Sequence, residues 1–127
     1  MGKPTVFAVS DDAVVVDSIK VLVESTELEA EGFPSLQAFL DAVEPGIRGC
    51  LVLDARARDL NDREWLVQLT VACSSVPCLL LTDRGDVPMA VLAVKAGAMD
   101  VVQKPYRNRN LLDGIKKALQ LDAAAHD

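Results

Sequence analysis

The chain has 127 residues, half of them hydrophobic and a quarter charged, which fits one globular domain with its own core. Thirteen Lys and Arg against nineteen Asp and Glu give a net charge of -6 without a basic cluster, so direct nucleic-acid binding by this chain is not expected. The apolar runs are too short to cross a membrane and no signal peptide precedes them, so we expect a cytoplasmic protein.

The first half of the chain alternates short apolar runs with amphipathic stretches at helical spacing. In chain order these predict a strand at 5–9, a helix at 13–24, a weaker strand at 28–33, a helix to residue 43 and a strand at 50–53. Ser35 is a plausible N-cap for the second helix, and Pro45 with Gly46 ends it.

The second half continues the alternation with two further strands and three helices. Asn61 and Glu64 resemble a capping arrangement for a helix to about residue 73, and the next strand is predicted at 76–81. Asp86 can cap the following helix, a short strand surrounds residues 101–102, and Asn108 or Asn110 can cap the last helix. Five strand–helix units with apolar strands predict a parallel sheet covered on both faces, an α/β fold.

Cysteine and histidine usage excludes several kinds of site. The three cysteines lack the close spacing of a zinc site, and we interpret them as reduced core thiols. The single histidine, His126, adjoins the C-terminus, where we expect fraying, so catalysis by a Ser-His-Asp or Cys-His group is effectively excluded. Phosphate-binding glycine motifs are likewise absent from the sequence.

Polar residues follow four of the predicted strands. They are Ser10, Asp11 and Asp12 after the first strand, then Asp54, Thr82 and Lys104. Because the carboxyl ends of parallel strands share one edge of the sheet, these side chains should converge. Neighbouring carboxylates suit Mg²⁺, and Asp54 could then act as a nucleophile on phosphorus, with Lys104 and Thr82 neutralising the transferring group.

This arrangement resembles the receiver domain of two-component response regulators, most closely the FixJ-like branch. The resemblance covers essentially the whole chain and is strongest over residues 85–105, GDVPMAVLAVKAGAMDVVQKP. It implies a single doubly wound (βα)5 domain, CheY-like or flavodoxin-like, with a five-stranded parallel sheet in the order 2-1-3-4-5. We place the receiver domain at 1–122 and a tail or linker start at 123–127.

The same resemblance assigns roles to individual residues. Asp54 would be the phosphoacceptor, Asp11 the main Mg²⁺ carboxylate, and the Arg56 carbonyl a further ligand. Thr82 and Lys104 would bind the phosphoryl group, and the Lys104–Pro105 bond would be cis. The protein would not be an enzyme, beyond catalysing its own phosphorylation and dephosphorylation.

Partners and output also follow from the resemblance. The phosphodonor would be a sensor histidine kinase, and the output would control transcription. The readout face, with a homodimer as a further expectation, would be the fourth helix, fifth strand and fifth helix, with the candidates Val91, Lys95, Val101 and Tyr106. FixJ-like proteins carry a C-terminal DNA-binding domain, and this chain ends before one, as an excised or a stand-alone receiver.

Several positions depart from the family pattern. Ser10 stands where the first of two adjacent acids is usual, Asp83 where Ala or Gly is usual, and Val101 where an aromatic switch residue is usual. Arg58 and Asp62 replace a Pro and a Gly after the phosphoacceptor. Loss of one acid should weaken metal binding, unless Asp83 replaces it, and valine cannot reproduce the burial of an aromatic ring.

Alternative interpretations remain open for the single residues and for the whole chain. Asp54 or Asp11 could be a helix or loop cap, Asp12 a cap rather than a ligand, and Lys104 a surface lysine. The departures motivate a second hypothesis, an atypical receiver-like interaction module that works without phosphorylation. A third, a small flavodoxin-like cofactor binder, has little support, because the loops lack Ser, Thr and Gly-rich phosphate contacts.

Overall fold

A computed structural model describes residues 3–55 and 62–126, in which five strands alternate with five helices. In chain order the elements are β1 (Thr5–Val9), α1 (Ala13–Glu24), β2 (Glu29–Phe33), α2 (Leu36–Ala42), β3 (Gly49–Asp54), α3 (Asp62–Ser75), β4 (Cys78–Thr82), α4 (Val87–Lys95), β5 (Asp100–Gln103) and α5 (Asn108–Ala125). The predicted alternation of strands and helices is confirmed.

The five strands form one parallel sheet in the order β2-β1-β3-β4-β5. This is the doubly wound order that the resemblance implied, and the fold prediction is confirmed. The order reverses between β1 and β3, which pair directly, and a reversal of this kind opens a crevice at the carboxyl ends of the strands. The sheet therefore places its ligand-binding edge next to the ends of β1 and β3.

Apolar side chains on the two faces of the sheet form two separate clusters. One, the α2–α4 cluster, lies under α2, α3 and α4 and contains Phe7, Phe39, Trp65 and Leu80 among its buried members. The other, the α1–α5 cluster, lies under the two helices α1 and α5. Because β3 and β4 are buried along their whole length, alternate residues feed both clusters, which explains why these strands are apolar throughout rather than alternating.

Side-chain caps fix the starts of three helices: those of α2 and α4 are as predicted, and for α1 the cap is Asp12 rather than Asp11. The side chains of Asp12, Ser35 and Asp86 accept hydrogen bonds from the first-turn amides of α1, α2 and α4. The prediction that Asn108 or Asn110 caps α5 is wrong: the N-cap is Arg107, without a side-chain cap bond, and both asparagines lie inside the helix. The proposed cap at residue 61 lies outside the described residues.

The C-terminal end of α5 is attached to the opposite edge of the sheet. Asp122 is 2% exposed, and its Oδ2 accepts hydrogen bonds from Arg48 Nε at 3.0 Å and from the Gly49 amide at 2.8 Å. His126 Nδ1 lies 2.9 Å from the Asp122 carbonyl oxygen, so it is anchored rather than frayed. The helix continues to Ala125, so residues 123–125 of the predicted tail are helical, while the domain boundary itself stays a prediction.

Within the described ranges, none of the helices combines the length and the apolar character that crossing a bilayer requires.

Candidate functional site at the carboxyl edge of the sheet

Four strands bring polar side chains to one edge of the sheet. Ser10 follows β1, Asp54 and Thr82 are the last residues of β3 and β4, and Lys104 follows β5. The Lys104 amide donates to the Thr82 carbonyl oxygen at 2.8 Å, which aligns the ends of β4 and β5. The Lys104–Pro105 peptide is cis, as expected from the resemblance.

Asp54 is the centre of this cluster, and each of its carboxylate oxygens has a donor. Lys104 Nζ donates to Oδ1 at 2.6 Å, and Ser10 Oγ donates to Oδ2 at 2.9 Å. Asp54 and Ser10 are each 1% exposed, whereas the Lys104 side chain is 21% exposed. Within the described part of the chain, an ammonium and a neutral hydroxyl thus stabilise this buried carboxylate.

Ser10 was among the polar residues expected at this edge, but sequence reasoning gave it no role in the site beyond a departure from the family pattern. Its Oγ also accepts a hydrogen bond from the Asp12 amide at 3.1 Å. The position directly after β1 was the available signal, but the contact with Asp54, 44 residues away, depends on the pairing of β1 with β3.

Thr82 contributes a second buried hydroxyl to the site. Its Oγ1 is buried and has no hydrogen-bond partner among the residues that the structure describes, although buried hydroxyls are nearly always hydrogen-bonded. Since Thr82 ends β4 beside Asp54 on β3, this hydroxyl is available to a group that enters the site.

The other candidate acids differ in their availability. Asp11 is exposed on the loop after β1. The Asp12 side chain accepts from the Val14 amide at 2.9 Å, so the cap is the role that the structure gives it. Asp83 is exposed on the loop after β4. Arg56, predicted to give a carbonyl ligand, and the departures Arg58 and Asp62 lie where the side chains are not described.

The side chains at this edge offer only a few protein ligands for Mg²⁺. Among residues 3–55 and 62–126, the structure contains no group of three or more acidic, cysteine or histidine side chains that could hold a metal. Asp11 and Asp54 supply two carboxylates at this edge, and Mg²⁺ is commonly bound by one or two carboxylates together with water and phosphate oxygens. The residues present therefore suit a hydrated magnesium ion better than a fully protein-bound one.

The predicted switch and output residues lie on α4, on β5 and in the loop that follows β5. Val91 and Lys95 are exposed on α4, and Val101 on β5 is half-buried against the α2–α4 cluster. Tyr106, in contrast, packs against the α1–α5 cluster. Val101 and Tyr106 both border an open groove of about 630 Å³ between β5 and α5, but they contact different cores.

The Tyr106 hydroxyl is turned toward α1. Burial raises the pKa of Tyr106 above the usual 10, the nearby Ser18 hydroxyl lowers it in part, and the charge of Asp54 adds to the rise. The Tyr106 side chain therefore links the Asp54 region to α1 rather than to α4.

The cysteines are free thiols in two environments. Cys50 and Cys78 are buried, and Cys73 is half-buried, so only two of the three are core thiols as predicted. Burial, with a smaller contribution from the Asp122 charge, raises the pKa of Cys50 to about 12. The neighbouring Cys78 thiol lowers the pKa of Cys73, whereas the Cys73 thiol and burial raise the pKa of Cys78.

Known proteins share both the sequence and the fold. The profile of the response regulator receiver domain matches residues 6–116, so the chain belongs to this family. It is 40% identical to the transcriptional regulatory protein TdiR of Thauera aromatica over 123 residues, which cover 97% of this chain and 54% of TdiR. The chain spans about half the length of the curated relatives it matches.

Two solved structures show the same relationship. The response regulator StyR matches with a TM-score of 0.85 and 40% identity, covering 98% of this chain and 63% of StyR. FixJ-N matches with a TM-score of 0.81 and 34% identity, covering 94% of this chain and 96% of FixJ-N. The resemblance to FixJ-like receiver domains is confirmed. Domains of this family generally bind Mg²⁺ at the phosphorylation site and interact with histidine kinases.

Proposed function

We propose that this chain is a phosphoacceptor receiver domain that takes a phosphoryl group from a sensor histidine kinase onto Asp54 in a Mg²⁺-dependent reaction. The observation that carries this proposal is the convergence of three groups at one edge of the sheet. They are a buried carboxylate, an ammonium 2.6 Å from it, and a buried hydroxyl without a partner among the described residues.

The reaction can be written with the residues present. A carboxylate oxygen of Asp54 attacks the phosphorus of a phosphohistidine, an O–P bond forms and the N–P bond breaks. The electron pair of that bond stays on the imidazole nitrogen of the kinase. Lys104 leaves the carboxylate to bind one phosphoryl oxygen, and the Thr82 hydroxyl donates to another.

A divalent cation would be held by Asp11 and Asp54, with the Arg56 carbonyl as a further ligand. When bound, Mg²⁺ supplies positive charge that offsets the repulsion between a carboxylate and an incoming phosphate. The proposed protein ligands are few, so we expect much of the coordination to come from water and from the phosphoryl group itself.

Phosphorylation would then shift a conformational equilibrium that is read on the α4–β5–α5 face. Val91, Lys95, Val101 and Tyr106 are the proposed readout residues, and a homodimer through this face is the proposed assembly. Val101 is only half-buried and contacts the α2–α4 cluster, so small shifts of β5 would change its burial. Tyr106 would report on the site through its contact with Ser18 on α1.

The wider role is proposed from the relatives. TdiR is described as a transcriptional regulatory protein, and we propose control of transcription in the cytoplasm as the output of this receiver. DNA contact would be made by another segment, because this chain carries a net charge of -6. We place the receiver domain at residues 1–122, with 123–127 as a tail or the start of a linker.

Intact-mass spectrometry after incubation with Mg²⁺ and acetyl phosphate tests the proposal. We expect the wild-type chain to gain the mass of one phosphoryl group, and Asp54→Asn to gain none. Asp83→Asn is the matched control: it removes an exposed carboxylate at the same edge, and it should retain the gain.

Absence of any gain in the wild-type chain, at every Mg²⁺ concentration and also with a cognate kinase, would refute the proposal. The atypical interaction module would then be the remaining interpretation. An equal gain in Asp54→Asn would show that another residue is the acceptor.

A further inference from the structure

The hydroxyl of Ser10 occupies a defined place in the site around Asp54. It donates to Asp54 Oδ2 at 2.9 Å and accepts from the Asp12 amide at 3.1 Å. A serine hydroxyl has a single proton, and the amide bond occupies one of its lone pairs, so the proton is directed at the carboxylate. Both Ser10 and Asp54 are 1% exposed, so water does not compete freely for either group.

Together with Lys104, this hydroxyl gives each oxygen of the Asp54 carboxylate a hydrogen-bond donor. Lys104 Nζ lies 2.6 Å from Oδ1, and Ser10 Oγ lies 2.9 Å from Oδ2. A cation that approaches Oδ2 meets a proton that carries partial positive charge. To admit the cation, the hydroxyl must turn away, and it then loses a charge-assisted hydrogen bond in a buried position.

We propose that Ser10 is a positioning residue that holds the Asp54 carboxylate in place of a divalent cation, so that Mg²⁺ binding requires the Ser10–Asp54 hydrogen bond to break. The inference rests on the proposed function, in which Asp54 is the phosphoacceptor and a metal ligand. Ser10 then sets the Mg²⁺ concentration at which the site becomes competent, and its hydroxyl opposes the cation instead of ligating it.

Isothermal calorimetry of Mg²⁺ binding to the full chain gives a signed test. Ser10→Ala removes the competing donor and leaves Oδ2 without that partner in the metal-free protein. Loss of a hydrogen bond to a charged group is large enough to raise the Mg²⁺ affinity about tenfold. Ser10→Asp supplies a third carboxylate and should raise it at least as much.

Ser74→Ala is the matched control, because it removes a serine hydroxyl that is exposed on α3 and donates to the Val71 carbonyl oxygen rather than to Asp54. Its Mg²⁺ affinity should stay within about twofold of wild type, since a twofold change is well below the effect of a lost charged hydrogen bond. A thermal unfolding series with EDTA and with rising Mg²⁺ provides a second measurement. The stabilisation by Mg²⁺ should be larger for Ser10→Ala than for wild type.

The outcomes separate this inference from the proposed function. Weaker or unchanged Mg²⁺ binding by Ser10→Ala overturns the role of Ser10, while a phosphoryl gain on Asp54 in the wild-type chain leaves the proposed function standing. Phosphorylation without measurable Mg²⁺ binding by any variant overturns the inference and the metal dependence together. Absence of both binding and phosphorylation overturns the inference and the function.

Discussion

The ion pair between Lys104 and Asp54 should couple the stability of the fold to the site. Lys104→Met keeps a similar aliphatic chain but removes the ammonium, so the carboxylate of Asp54, 1% exposed, loses the donor at 2.6 Å from Oδ1. Removing one partner of a fully buried ion pair costs about 3–5 kcal/mol. Because the Lys104 side chain is 21% exposed, we expect a smaller loss, about 2–3 kcal/mol.

A double-mutant cycle isolates the interaction free energy between Lys104 and Asp54. Urea unfolding without Mg²⁺ would be measured for the wild type, Lys104→Met, Asp54→Asn and the double variant, and the interaction free energy should be about 2 kcal/mol. Lys95→Met is the matched control, since that lysine is exposed on α4, and it should change stability by less than about 0.5 kcal/mol.

A coupling below about 0.5 kcal/mol would refute the reasoning, because it would mean that the ammonium and the carboxylate do not depend on each other in the resting protein. Lys104 would then be a surface lysine whose contact with Asp54 adds nothing. A coupling near the expected value would show that the ammonium must exchange a strong resting contact for any phosphoryl oxygen that it binds.

Three further outcomes follow from the geometry. Gly49→Ala should destabilise the fold by about 3 kcal/mol or more in urea unfolding, because a Cβ there would overlap a carbonyl oxygen of β1 at a φ of +142. Gly46→Ala, at a φ of +81 in open space, should cost only about 1–2 kcal/mol, and equal losses would contradict the clash. The raised pKa of Cys50 stabilises the folded chain fully below pH 9, where the unfolded thiol keeps its proton, and this contribution is lost as the pH rises toward about 12. Between pH 9 and 10.5 stability should fall by about 2 kcal/mol more in the wild type than in Cys50→Ala, and parallel pH profiles would exclude this effect. Iodoacetamide should label Cys73 first in the folded chain, since it is half-buried with a lowered pKa, whereas Cys50 and Cys78 are buried with raised pKa values. Peptide mapping that found faster labelling of Cys78 would refute this order.

Local pattern was sufficient to predict the elements and a parallel sheet covered on both faces, whereas the strand order was predicted from the family resemblance. Strands such as CLVL in β3 and CLLL in β4 are too apolar for a half-exposed sheet, so they predicted burial on both faces and hence a parallel α/β fold. The caps at Asp12, Ser35 and Asp86 were within reach because a capping bond joins residues two or three positions apart.

The membership of the site could also be predicted, but its internal contacts could not. Asp54, Thr82 and Lys104 were found because each ends or follows a strand, and parallel strands end at one edge. Ser10 was seen as a missing acid, whereas the structure makes it a donor to Asp54. Nothing in the local sequence shows which side chain a hydroxyl will face across two strands.

The sequence by itself determined the alternation of elements, the caps of α2 and α4 and the edge where the polar residues gather, because all of these depend on neighbours along the chain. Tertiary structure alone decided the contacts between distant residues. Asp122 is buried because α5 brings it to Arg48 and Gly49, more than 70 residues away. Tyr106 packs against the apolar cluster under α1 and α5. Which cluster a side chain joins depends on how the helices fit against the sheet, and that fit is a property of the tertiary structure.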